Sequence, residues 1–121
     1  MKKIMILSFV AAAALTGQAN AATGGTVCAA AAAAASGTAV DADTTEFVKV
    51  TFTPKCSANV HMSYAQTGTS FGSIAGSSKG KFAFGGGTGG GGVRSTSQCA
   101  ATGCTSSNTT TALALDQANA S

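Results

Sequence analysis

The sequence predicts a mainly β fold: a small antiparallel meander or sandwich of short strands, stapled by two disulfides, with a short Ala-rich helix near its N-terminus. Three observations carry this expectation. Apolar and polar residues alternate with period two between Glu46 and Ala65, on both sides of a turn signal after Pro54. Four cysteines, Cys28, Cys56, Cys99 and Cys104, all follow an export signal, and an even count in an exported small domain reads as two disulfides. Bulky apolar residues are few, and no pattern suggests strands alternating with helices in βαβ units.

The export signal occupies residues 1–21. Met1-Lys2-Lys3 is a short positive segment, Ile4 to Leu15 an apolar run, and Ala19-Asn20-Ala21 a small-x-small cleavage site. The run falls short of the ~20 residues a membrane-spanning helix needs. No twin-arginine pair is present and no cysteine follows the cut, so a general secretory signal of bacterial type is expected, without a lipid anchor. The expected location is extracellular or at the cell surface, with the periplasm as the alternative. No stretch of the mature chain is apolar enough to span a membrane. At about 100 residues that chain is of single-domain length. It divides into an Ala-rich segment with a polar connector (22–45) and a small β domain (46–121).

Removing Lys2 and Lys3 lowers the formal charge from +3 to +1. The basic balance therefore belongs largely to the signal, and with no Lys/Arg stripe a nucleic-acid partner is not expected. Only 9% of residues are charged, against a usual ~25%. The apolar set proposed for the core or an interface is Val48, Val50, Phe52, Val60, Met62, Tyr64, Phe71, Phe82 and Phe84. Such a core is thin for the chain entropy it must offset. Each disulfide adds about 2–4 kcal/mol by restricting the unfolded chain. The short span from Cys99 to Cys104 favours local closure, which leaves Cys28 for Cys56; the rival pairs Cys56 with Cys99 or Cys104.

Along the mature chain, Ala22 to Gly25 reads as a flexible start. Ala29 to Ala35 has the best helix propensity, and Gly37 suits a C-terminal cap. A run this short is marginal alone in water, and an extended strand or a linker are the competing readings. Thr38 to Thr45 is a polar connector. Val48, Val50 and Phe52 then point one way, opposite Lys49, Thr51 and Thr53, until Pro54 ends the strand. Lys55 to Asn59 reverses the chain, and Val60, Met62 and Tyr64 return as the second arm of a hairpin, with His61 on the exposed side. Ser70 to Ala75 and Lys81 to Phe84 are further strands, joined by a turn over Gly76 to Gly80. Gly85 to Gly92 reads as a flexible surface loop, with a close-packed glycine strand as the second reading. Val93 to Gln98 is a fifth strand, and Thr111 to Leu115 a last one, in competition with a frayed helix.

No catalytic, cofactor or metal constellation stands out. Asp41 and Asp43 lack the Gly and distal Glu of a calcium loop. The glycine run is followed by Val93-Arg94-Ser95, not the Gly-Lys-Ser/Thr of a phosphate loop. His61 is the one histidine, and no nucleophile elbow marks a serine partner. The chain is thus not expected to be an enzyme. The first functional expectation is a secreted structural protein that self-assembles into an extracellular filament, matrix or surface layer: a weakly charged surface repels its copies little, open strand edges can pair, and a thin core gains from burial between subunits. The alternative is a periplasmic or secreted module that binds a small ligand or glycan through its aromatic residues.

Overall fold

Val60 to Ala65 alternates as a strand should, and it lies inside the main sheet, but its partners are not the residues before Pro54. The computed structural model describes residues 23–89 and 92–110. Its strands are β1 (Thr23–Ala29), β2 (Ala35–Ser36), β3 (Lys55–Cys56), β4 (Val60–Gln66), β5 (Phe71–Ser77), β6 (Phe82–Gly87) and β7 (Arg94–Gln98). A five-stranded antiparallel sheet has the order β1-β4-β5-β6-β7, and β2 and β3 form a separate two-stranded ribbon. The mainly β fold and the meander, β4 to β7, are as expected.

The two faces of the sheet differ in residue size. One carries Ser63 and Ala65 from β4, Gly72, Ile74 and Gly76 from β5, and Ala83 and Gly85 from β6, all buried. Small side chains let a cover approach closely. That cover includes the Cys99–Cys104 disulfide loop, whose cysteines pack with Ala65, Ile74 and Ala83, and a short helix α1 over residues 106–110. Asn108 Oδ1 accepts the Thr105 amide (2.9 Å) and hydroxyl (3.0 Å), capping the helix start. Buried Thr109 then meets Ser63 on the sheet, with their hydroxyls 3.2 Å apart.

The opposite face carries the bulky residues, and part of it is covered by a long irregular hairpin between β1 and β4. The hairpin starts in the β2–β3 ribbon, where Ala35 opposes Cys56. It continues through Gly37 N–H to Pro54 O (2.8 Å), a Val40–Phe52 bridge, and Asp43 N–H to Val48 O (3.1 Å). The Cys28–Cys56 disulfide ties its base to β1, with Cα atoms 5.7 Å apart. Beneath it Val27, Cys28 and Val40 pack with Val48, Cys56, Met62, Tyr64 and Phe71. Both disulfides join the expected partners, and two disulfides fit an oxidising environment.

Several expectations are corrected. Val48, Val50 and Phe52 do not form a strand paired with β4. Both edges of β4 are taken, by β1 and β5, and the disulfide holds Cys56 back over β1, so the preceding residues fold across the sheet. Val50 is 77% exposed as a result. Ala29 to Ala35 is not a helix: Ala30 has φ 54°, and the amides of Ala30 and Asn59 bond to Val60 O and Ala31 O. Those bonds replace a helical turn that is costly to nucleate. Thr23 to Gly25 is not a loose start but the first half of β1. Gly85 to Gly87 belongs to β6, so the close-packed glycine strand holds there. His61 is half-buried, because it shares the covered face with Ser63 and Ala65. The export signal and the Thr111–Leu115 strand lie outside the described residues.

Candidate functional site

The β5–β6 half of the bulky face stays open. Phe82 and Phe84, two residues apart on β6, point to the same side, and they are 45% and 52% exposed. Ala75 opposes Phe84 across the β5–β6 ladder, and Val60 opposes Ser77 across the β4–β5 ladder. Small Ala75 between larger neighbours leaves a shallow groove of about 380 Å³, lined by Val60, Ala75, Gly76, Ser77, Gly80, Lys81, Phe82 and Phe84. The lining is mainly apolar, and Lys81 is its one charged residue.

The turn beside this groove is firmly held. Ser78 and Gly80 donate their amides to Asn59 O (2.8 Å) and Ser77 O (2.9 Å), and Cys104 donates to Ser77 O at 3.0 Å. Gly103 has φ 118°, and a Cβ there would run into the Ser78 carbonyl. The disulfide loop therefore buttresses the turn that displays Lys79 and Lys81, both exposed.

The far end of the sheet carries opposite charge. Asp41, Asp43 and Glu46 lie on the outer part of the irregular hairpin, and every carboxylate side chain among the described residues is within this span. The hairpin tip is anchored at the β4–β5 turn. Val48 N–H donates to buried Gln66 Oε1 (3.0 Å), Thr23 Oγ1 donates to Glu46 Oε1 (2.8 Å), and the Phe47 and Phe71 rings lie 6.4 Å apart. Asp43 Oδ1 accepts the Thr45 hydroxyl and amide, both at 2.7 Å. These two bonds, hydroxyl first, then the nearby Lys49 charge, hold the Asp43 carboxyl below its ordinary value. Lys49 Nζ itself donates to Thr44 O at 2.7 Å. Lys55, Lys79 and Lys81 lie toward the other end, near the Cys28–Cys56 staple and the β5–β6 turn. Seven-residue strands separate the two ends by roughly 20 Å.

The structure therefore divides the expected core-or-interface set. Val48, Val60, Met62, Tyr64 and Phe71 are half-buried, and Tyr64 stacks on Phe71 at 5.9 Å. Val50, Phe52, Phe82 and Phe84 are exposed. Sequence reasoning misses fully buried Gln66; its place just before Thr67-Gly68, a turn-like pair that closes β4, is the one available sign. A second opening of about 240 Å³ beside Cys28–Cys56 is lined by small residues, including Ala31, Ala35 and Gly37, and no titratable side chain. Among the described residues, no group of three or more His, Cys, Asp and Glu could hold a metal ion, and no helix is long and apolar enough to cross a membrane. Comparison with protein-family models, curated proteins and solved structures finds no match to this chain.

Proposed function

We propose that the chain is an exported structural protein, a self-associating subunit of an extracellular filament, matrix or surface layer, and not an enzyme. The observation that carries this reading is the open apolar face of Phe82 and Phe84. Two large aromatic side chains about half exposed on a hydrogen-bonded sheet, beside Val60 and Ala75, are a site where association removes apolar surface from water. The sparse charge of the chain leaves little to oppose it. Strand β7, the last in the sheet order among the described residues, adds a polar edge that a neighbour can extend.

Sedimentation velocity of the oxidised mature chain over a hundredfold concentration range tests the proposal. Mass should rise with concentration, and Phe82→Ser with Phe84→Ser should suppress the rise. A monomer at every concentration overturns it. The second reading, a small-ligand or glycan module, draws on the same groove and its exposed rings. It predicts a monomer whose Phe82 and Phe84 NMR signals shift on titration with oligosaccharides.

A further inference from the structure

The self-association proposed above has two distinct surfaces to use, and they are unlike each other. One is the groove of Val60, Ala75, Phe82 and Phe84, lined at one end by Lys81, with Lys79 exposed on the adjoining β5–β6 turn. The other is the hairpin tip at the opposite end of the sheet, where Asp41, Asp43 and Glu46 outnumber a single lysine, Lys49. The tip also carries apolar surface: Phe47 is 43% exposed, and Val50 follows it on the returning arm.

We infer that the subunits associate head to tail, the acidic hairpin tip of one copy seated in the lysine-bordered groove of the next. Charge selects this arrangement. Groove-to-groove contact brings Lys79 and Lys81 of two copies together, and tip-to-tip contact brings together the exposed Asp41 and Asp43 of two copies, with Glu46 tied to Thr23 behind them; like charges oppose both. Tip-to-groove contact pairs carboxylates with lysines around an apolar centre. A contact between two different patches is heterologous, so each added copy presents a fresh tip and a fresh groove. Such a contact propagates into an open chain unless its rotation closes a ring.

The inference rests on the self-association reading, and charge reversal separates the two. Lys79→Glu with Lys81→Glu gives an acidic groove, and Asp41→Lys with Thr44→Lys gives a basic tip. All four positions are exposed, and Thr44 replaces Asp43 as a target so that the Asp43–Thr45 turn stays intact. Each variant alone should associate at least roughly tenfold more weakly than the native chain at low salt. An equimolar mixture should recover native-size assemblies, because both contacts are again of opposite sign. The native chain needs no substitution for a parallel test: raising salt from 50 to 500 mM should weaken its association. If the variants associate like the native chain, or the mixture does not recover, or salt strengthens association, the head-to-tail contact is wrong while self-association stands. If the native chain is a monomer throughout, both readings fall.

Discussion

The Val48 amide donates to Gln66 Oε1 at 3.0 Å, and this bond, beside the Thr23–Glu46 bond and the Phe47–Phe71 ring contact, fastens the tip of the irregular hairpin to the end of an interior strand. Gln66 is 1% exposed, so its amide is shielded from water and cannot exchange partners freely. Replacing it with Leu keeps the bulk but leaves the Val48 N–H without its acceptor, at a cost of about 1–3 kcal/mol. The expected outcome of Gln66→Leu is a lower urea midpoint, together with faster hydrogen exchange at Val48 and new proteolytic cuts between Asp43 and Lys49. An unchanged Val48 exchange rate would show that the tip is held elsewhere.

The two disulfides should contribute unequally. Cys28–Cys56 closes a span of 28 residues and Cys99–Cys104 one of 5. The chain-entropy relation assigns about 3.6 kcal/mol to the first and about 2 kcal/mol to the second. Paired serine variants, Cys28→Ser with Cys56→Ser against Cys99→Ser with Cys104→Ser, should therefore lose stability in that order in urea unfolding. The reverse order would place the larger contribution in native contacts of the Cys99–Cys104 loop under the β5–β6 turn.

How much of this was legible in the sequence depends on what held each segment in place. Where the cause is local, reading succeeded. Alternation marked β4, Phe71 with Ile74 and Phe82 with Phe84 marked β5 and β6, and the short span from Cys99 to Cys104 marked one disulfide and, by elimination, the other. Where the cause is a distant partner, reading failed. Thr23 to Gly25 has weak strand propensity and is a strand because β4 pairs with it. Val48 to Phe52 has strong propensity and is not one, because the strand it would join has no free edge. Burial follows the same rule: bulk in the sequence points to core, yet the most tightly covered face consists of Ser63, Ala65, Gly72, Ile74, Gly76, Ala83 and Gly85. Gly72 and Gly76, each two residues from Ile74, share its face of an extended strand, and that spacing of small residues is the available sign that something lies close above. The candidate surface was half legible: Phe82 and Phe84 shared a face in the sequence, but their exposure depended on where the hairpin fell.

Gly85 tests that small-residue face. A Cβ built on Gly85 would strike Ile74 Cγ1 and come within 2.9 Å of the Ser73 carbonyl oxygen. Ile74 is among the largest fully buried side chains, so it has little room to turn away. Gly85→Val should destabilise the fold by about 1–3 kcal/mol through overpacking, despite valine's better strand propensity. Combining it with Ile74→Ala should recover part of the loss, since the truncated neighbour vacates the space. Independent, additive losses in the double variant would show that the two side chains do not compete.

Asp43 ties the hairpin tip to pH. The Thr45 hydroxyl and amide donate to its carboxylate, and Lys49 lies nearby, so its folded-state value sits below the ordinary 3.8. A carboxyl whose value is depressed by folding stabilises the native state above its unfolded value and loses that contribution as pH falls through the folded one. For Asp43 the window runs from 3.8 downward, so the tip keeps this charge into acid that neutralises an ordinary aspartate. Carbon-detected NMR titration of the native chain should place Asp43 below 3.8. Thr45→Ala removes the hydroxyl but keeps the amide donor, and should move the value part of the way back up. If the native midpoint lies at or above 3.8, or if Thr45→Ala leaves it unmoved, the two bonds from Thr45 are not what holds the tip's charge.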